Sequence, residues 1–327
     1  MTMALLDICI PTFNRAEYLE KCIASILAQD KEALQYIRIL ISDNNSSDET
    51  TAVVKRYKHP VIEYIRQTEN LGAEKNVLFL ADKSDTEFLM FLTDDSLLTK
   101  DALPAIIDIL KRNPTAGAIF SPLNVINVQT EKVSFRLGNR QFETSAGRAS
   151  LEKFLFHTLS LTRLIMRRSL FNVHDYEKHI GAYYPQMYLA GSVLCTAGAI
   201  YTPVVLVEAF QTAKIYWSYP PDFFSTGVVR IVRDLTRNVT DGNTACKVLI
   251  RERIRTSFSG LLAMRKESLK KYIKSLGALY AIPEYRFSVR FNLYALFFLI
   301  IGSRGFDLVN NGLKLLPRNS RSAARRK

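Results

Sequence analysis

Cysteine is scarce and unpaired in this chain. Cys9, Cys22, Cys195 and Cys246 are scattered, with no CxxC or other paired spacing, and His59, His157, His174 and His179 do not cluster with them. That distribution excludes a disulfide framework and a zinc site, and it reads as free thiols in a reducing compartment. No GxGxxG follows the first apolar stretch, which argues against nicotinamide and flavin cofactors. No GxxxxGK[ST] occurs, which excludes a P-loop. Long hydrophobic runs are missing too. The longest late one, Leu293 to Ile301, has nine residues, roughly half of the ~20 that span a bilayer. The start, MTMALLDICIPTF, has no basic leader and no extended apolar core, so it reads as a strand rather than a signal peptide. These absences predict a cytoplasmic protein without a transmembrane helix.

The chain has 327 residues, 48% hydrophobic and 23% charged, which is enough to build a sizeable core. Its net charge of +13 is unevenly spread. Residues 1–250 carry 27 Lys and Arg against 27 Asp and Glu, whereas residues 251–327 carry 17 against 4. A neutral body with a basic tail implies that the tail meets a polyanion, either a membrane surface or nucleic acid. Past Phe306 the tail lacks the interleaved aromatics on which bases stack, and this weakens the nucleic-acid option.

Periodicity predicts strands over 5–10, 36–42, 61–66 and 87–92. They alternate with helices over 16–28, 48–57, from the NLGAEKN stretch to 80, and 100–112. Four such alternations predict a mostly parallel sheet with helices on both faces. Further strands are expected over 118–128, 161–166 and 199–208, with a helix from 181 to 193. Residues 130–148 read as irregular, and the chain after Lys214 as helical and basic.

Two of these strands end abruptly in carboxylates. One runs Ile39-Leu40-Ile41-Ser42-Asp43 and the other Phe88-Leu89-Met90-Phe91-Leu92-Thr93-Asp94-Asp95. Open α/β sheets bind ligands at the carboxyl ends of their strands. Adjacent carboxylates there repel each other unless a cation lies between them and a ligand, and a divalent metal carrying a diphosphate answers that need. A helix N-cap cluster before residue 100 is the plainer alternative for Asp94-Asp95.

The set CIPTFNR, ISDNNSSDET, NLGAEKN and FLTDDS, in that order, resembles the nucleotide-binding half of a family 2 glycosyltransferase of the GT-A (Rossmann-like) fold. The segment GAYYPQMYLAGSVL, followed by a strand ending TPVVLVE, is similar to abequosyltransferase-type enzymes. Those move a dideoxyhexose onto a lipid-linked O-antigen unit. The resemblance implies a nucleotide-sugar-binding half over 1–118 and an acceptor-binding half over 119–213; the pattern and charge of the remainder make 214–327 an expected helical, basic, membrane-associating region. The resemblance also implies roles. Pro11, Thr12, Phe13 and Arg15 line the nucleotide pocket, and Asp43 meets the base. Asn70, Gly72 and Lys75 lie near the sugar diphosphate. Asp94 faces the ribose or donor sugar, and Asp95, with Asp94 beside it, ligates Mg²⁺ or Mn²⁺. For Arg15 a helix-start surface position, for Lys75 a solvated helix face, and for Asn70-Leu71-Gly72 a simple turn remain alternatives.

The chain departs from the family pattern in two places. Ser96 stands where a further carboxylate is common. The region that usually carries the acceptor-activating acid reads Tyr183-Tyr184-Pro185-Gln186, and an amide cannot take a proton at neutral pH. Asp175 and Glu177, just upstream, are the possible substitutes or else plain loop carboxylates. The tail, with Phe291–Ile301 flanked by Arg286 and Arg290 and followed by Lys314, Arg318, Arg321, Arg325, Arg326 and Lys327, suits an anionic inner leaflet. The expected function is transfer of a sugar from a nucleotide sugar to a polyprenyl-linked saccharide at that membrane. A nucleotidyltransferase and a non-catalytic nucleotide-sugar or membrane-surface module are the alternatives.

Overall fold

The computed structural model describes residues 4–127, 133–211, 226–256 and 258–300. In chain order the elements are β1 (Leu6–Thr12), α1 (Ala16–Leu27), α2 (Lys31–Leu34), β2 (Ile37–Asp43), α3 (Thr50–Arg56), β3 (Ile62–Arg66), α4 (Ala73–Lys83), β4 (Phe88–Phe91), β5 (Ser96–Leu98) and α5 (Ala102–Arg112). There follow β6 (Ala118–Phe120), β7 (Leu123–Asn127), β8 (Val133–Phe135), β9 (Phe142–Thr144), α6 (Arg148–Phe154), β10 (Leu164–Arg167), α7 (Pro185–Thr196), β11 (Ala199–Tyr201) and β12 (Val207–Gln211). The chain continues as α8 (Thr226–Thr236), α9 (Gly242–Thr256), α10 (Phe258–Glu267), α11 (Leu269–Tyr280), α12 (Pro283–Arg286) and a helical stretch over 289–300.

Contacts divide the chain into two compact units. One comprises residues 1–217 and 233–245, the other 218–232 and 246–327. The larger holds an eight-stranded sheet, ordered β3-β2-β1-β4-β10-β6-β11-β9, and a four-stranded sheet, β5-β12-β7-β8. β3, β2, β1 and β4 are parallel, as are β6 and β11, while β10 runs antiparallel to both neighbours. Every residue of β1 except Pro11 is buried, because both faces of this strand are covered. Leu6, Ile8 and Ile10 join Leu19, Ile23 and Ile26 of α1 and Leu103, Ile106 and Leu110 of α5 in one apolar core. Cys9, of opposite parity, turns its thiol towards the Leu80 carbonyl of α4.

Two expected strands are each divided. The run from 118 splits at Ser121-Pro122 into β6 of the large sheet and β7 of the small one, and the run from 199 splits near Pro203 into β11 and β12. Each division falls at a proline, which removes a ladder donor. The stretch expected to be irregular contributes β8 and β9; Val128 and residues 130–132 lie outside the described residues.

In the smaller unit, Tyr272 donates to the Ala295 carbonyl at 2.6 Å and Arg265 to that of Phe298 at 3.2 Å. Phe291 packs edge-on to Tyr280 and Tyr285. On the same helical stretch Val289, Leu293, Leu296 and Ile300, spaced four, three and four apart, are 74%, 62%, 52% and 72% exposed. Among the described residues no helix is long and apolar enough to cross a membrane. The tail cations from Lys314 onward lie outside the described residues.

Candidate active site at the carboxyl edge of the sheet

The parallel register places Thr12, the last residue of β1, beside Asp43, the last of β2. β4 ends two residues before Thr93, so Asp94 and Asp95 follow at the same edge. Thr12 donates its hydroxyl to Asp94 Oδ2 at 2.8 Å. Arg15, at the entry to α1, places one guanidinium nitrogen 2.9 Å from Asp94 Oδ1 and 2.8 Å from Asp95 Oδ2. The cation that two neighbouring carboxylates demand is therefore supplied, within this chain, by Arg15. It is buried, which answers the expectation of a helix-start surface residue. Asp94 and Asp95 do not cap α5, since β5 intervenes and Asp101 occupies the N-cap position.

Asp94 is buried with both oxygens engaged. Burial pushes its carboxyl up to about 6, against the opposing pull of the Arg15 charge and the Thr12 hydroxyl. Asp95 is less enclosed, and its Oδ1 makes no hydrogen bond among the described residues. Its carbonyl accepts from the Phe210 amide of β12 at 2.9 Å, so the second sheet anchors the turn. Ser96 is fully buried. It shares hydroxyl contacts of 2.7 Å with Thr93 and 3.3 Å with Thr162, and the Thr162 hydroxyl also receives the Thr93 amide at 3.2 Å. Ser96 thus belongs to the packing that sets the turn and is closed off from a ligand.

Asp43 is also fully buried, accepting from the Ser46 amide at 2.8 Å and the Tyr64 hydroxyl at 2.6 Å. Burial and the hydrogen bond to Asp43 raise the Tyr64 phenol to about 12. The loop after β1 is stitched to the loop after β2. Asn14, with φ of 53°, gives its amide to Ser46 and accepts the Ser47 amide, and Asp48 accepts the Ala16 and Thr50 amides at the starts of α1 and α3. Pro11, near the end of β1, and Phe13, in that loop, are half-buried.

Asn44 joins the third loop. It donates to Asn70 at 2.8 Å and accepts the Leu71 amide at 2.8 Å, while Asn70 accepts the Gly72 amide. Gly72 has φ of 81°, the left-handed region that favours glycine, where it opens α4. Lys75 is exposed on α4. Glu74 beside it reaches across the domain. Its carboxylate accepts the Tyr176 hydroxyl, the Gly181 amide at 2.9 Å and the Tyr183 amide at 3.0 Å. Sequence reasoning missed Glu74 because its partners lie about a hundred residues away; its place inside NLGAEKN was the one available signal. Tyr183 (φ 63°) and Gly181 (φ 86°) are both in the left-handed region, so Glu74 holds a constrained turn.

Asp175 and Glu177 are exposed, and Glu177 pairs with His174 at 3.2 Å. No hydrogen bond or ion pair links either to the Asp94–Asp95 cluster. Gln186 is buried on α7 and donates to the Leu159 carbonyl. Among the described residues no group of three or more His, Cys, Asp and Glu could by itself hold a metal ion.

The sequence profile described as glycosyl transferase family 2 matches residues 7–174. The abequosyltransferase RfbV of Salmonella typhimurium is 28% identical over 217 residues, covering 60% of this chain and 63% of that protein. A GalNAc(5)-diNAcBac-PP-undecaprenol beta-1,3-glucosyltransferase of Campylobacter jejuni is 36% identical over 108 residues, covering 32% of this chain and 34% of that protein. The chain thus spans less than two thirds of the length of either relative. Among solved structures, S. aureus TarS 1–349 in complex with UDP-GlcNAc matches with a TM-score of 0.66 at 17% identity, over 86% of this chain and 82% of that one. Mannosyltransferase PcManGT from Pyrobaculum calidifontis, in complex with GDP-Man and Mn²⁺, matches with a TM-score of 0.51 at 16% identity, over 90% and 86%. The fold is the GT-A arrangement that the motifs imply. With its profile match covering half of the residues, and with those motifs meeting at one sheet edge, the chain belongs to glycosyl transferase family 2.

Proposed function

We propose that this protein transfers a sugar, in the simplest case a dideoxyhexose, from a nucleoside-diphosphate sugar to a hydroxyl of a polyprenyl-linked oligosaccharide during surface-polysaccharide synthesis. The observation that carries the reading is the Arg15 guanidinium shared by Asp94 and Asp95 at the ligand-binding edge of the sheet. The bond from the anomeric carbon to the diphosphate oxygen breaks, and one to the acceptor oxygen forms. Negative charge grows on the departing diphosphate, and Arg15, poised at that edge, lies where it can answer that charge.

A divalent cation fits the donor set. Asp95 Oδ1 is a hard oxygen without a hydrogen-bond partner among the described residues, and Mg²⁺ and Mn²⁺ are commonly held by one or two carboxylates plus substrate phosphates. Asp95 would hold it, and Asp94, engaged on both oxygens, would orient Arg15 and Thr12 behind it. Such a cation supplies Lewis-acid stabilisation of the leaving diphosphate. Asp43 keeps the pocket floor through Ser46 and Tyr64, and Asn70 and Gly72 shape the loop beside it, with Lys75 adding a positive charge. Gln186 has no basic atom for the acceptor's proton, and in this reading Asp175 or Glu177 receives it.

The acceptor class is supported by the names of the Salmonella and Campylobacter relatives. The exposed stripe Val289, Leu293, Leu296 and Ile300, with Arg286 and Arg290 at its start, supports a peripheral site of action on the anionic inner face of the plasma membrane. Nucleic acid is not a partner in this reading.

Thermal melting of the full chain with UDP, CDP and GDP, each with Mn²⁺, tests the proposal. One nucleotide should raise the melting temperature; a ligand at a hundred times its Kd adds about 2.7 kcal/mol. The matching nucleotide sugar should be hydrolysed slowly, with metal. Failure of every nucleotide to stabilise, together with no hydrolysis across a donor panel, would overturn it.

A further inference from the structure

One residue beyond Thr162, which is bonded to the Asp94–Asp95 turn through Thr93 and Ser96, stands Arg163. It is 8% exposed and its φ is +85°, a backbone region that a long L side chain rarely adopts. Its Nη2 donates to His157 Nδ1 at 3.0 Å and to the His157 carbonyl at 3.2 Å. Nε is buried with no partner, and Nη1 makes no hydrogen bond among the described residues. No carboxylate pairs with it among them either; the titratable group that acts on it is the Tyr201 phenol at the end of β11. His157 offers no counter-charge: burial, then the Arg163 and Lys153 charges, depress its ring to about 4, so it is neutral near pH 7.

A guanidinium cannot discharge itself by losing a proton. Enclosing one without a counter-ion is unfavourable, and the strained backbone adds to the cost. Arg38, Arg148 and Arg167 in the same unit each meet a carboxylate. Among the described residues, Arg163 is the arginine that combines deep burial, a left-handed backbone and a neutral partner, at the edge of the sheet where β6, β11 and the start of β10 converge. Its missing counter-ion fits a ligand.

We propose that Arg163 binds a phosphate oxyanion of a substrate through Nη1, forming an anion site beside, and distinct from, the Asp94–Arg15–Asp95 cluster. The choice of phosphate rests on the function proposed above, in which donor and acceptor both carry a diphosphate. Arg163 follows the nucleotide-binding half of the reading above and makes no hydrogen bond or ion pair with Asp94 or Asp95 among the described residues, which favours the acceptor's diphosphate.

The test uses the full chain without added divalent cation, so that Asp95 contributes little. Inorganic pyrophosphate should raise the melting temperature of the wild type, and R163M should weaken pyrophosphate binding at least tenfold. R163K, which keeps the charge but not the fork, should fall between, and it carries the test should R163M fold poorly. Unliganded R163M should melt no lower than the wild type, because an uncompensated charge has gone. UDP or CDP and farnesyl diphosphate, run separately, identify the source. Loss of the farnesyl diphosphate response alone assigns the anion to the acceptor, and loss of the nucleotide response assigns it to the donor. Equal pyrophosphate responses in all three proteins, or none in the wild type, would overturn the site. Mn²⁺-dependent nucleotide binding in the same variants reports on the proposed transfer function independently.

Discussion

The two ends of the central strands each bury an aspartate against an arginine, and they do so in opposite ways. At the amino end of β1, Asp7 is fully enclosed. Both its oxygens take Arg38 at 2.9 Å in a two-pronged pair, and one also accepts the Ser84 hydroxyl at 2.7 Å. At the carboxyl end, one nitrogen of Arg15 is divided between two carboxylates, and Asp94 sits at about 6 because Arg15 and Thr12 offset only part of the cost of its burial. A bidentate pair satisfies its acceptor and closes a surface. At the shared contact Asp95 engages Arg15 through Oδ2 alone, and its Oδ1 makes no hydrogen bond among the described residues. In the proposed function, the difference separates an end that serves stability from an end that serves a ligand.

The comparison breaks most visibly at Asp95. Asp95→Asn keeps the size of the side chain and halves the negative charge facing Arg15. Transfer should fall by about a thousandfold, the range seen when a preorganised transition-state contact is lost, with the melting temperature little changed. Near-normal turnover would remove Asp95 from the chemistry. The opposite end should respond the other way. Asp7→Ala leaves Arg38 without its main partner, and removal of one member of a buried pair costs about 3 kcal/mol, some 150-fold in the folding equilibrium. Activity per folded molecule should stay at the wild-type level. Urea unfolding followed alongside a transfer assay measures both quantities. A loss under about 1 kcal/mol would mean that the two-pronged pair closes nothing.

Much of this contrast could be read in advance, and some could not. The four parallel strands were legible because each is a short apolar run that stops at a polar loop. The expected 36–42 and 87–92 became Ile37–Asp43 and Phe88–Phe91. The strands on either side of Pro122 and Pro203 were not separable, because apolar character continues across each proline while the chain passes from one sheet to the other. At the site, residue types announced Asp43, Asp94 and Asp95, but not who would neutralise them. Arg15 is 79 and 80 positions away from its partners, and its burial follows from the loop stitched by Asn14, Ser46 and Asp48. Glu74 and Arg163 were hidden for the same reason. Each stands in an unremarkable charged stretch, and only the fold brings up the Tyr183 amide or withholds a carboxylate.

The finest test of the contrast is acid titration. Asp94, raised by burial from an ordinary value near 4 to about 6, binds its proton more tightly folded than unfolded. Stability from this group is therefore fully present below pH 4 and is lost as pH rises through 6. Between pH 7 and pH 5 the folded protein should gain about 1.4 kcal/mol from Asp94, while the fraction ionised falls about tenfold. With Asp94 neutral, the Arg15 charge leans more heavily on Asp95, and Asp95 is then less able to hold a cation, so transfer should drop by about the same factor. Stability and activity would move in opposite directions over the same two units of pH. Asp94→Asn supplies the control. Its difference from the wild type isolates this group from other titrations, and the variant should lack both the acid gain in stability and the acid loss in rate. Parallel pH profiles for wild type and variant would place the burden of Asp94 elsewhere and make the two ends of β1 alike.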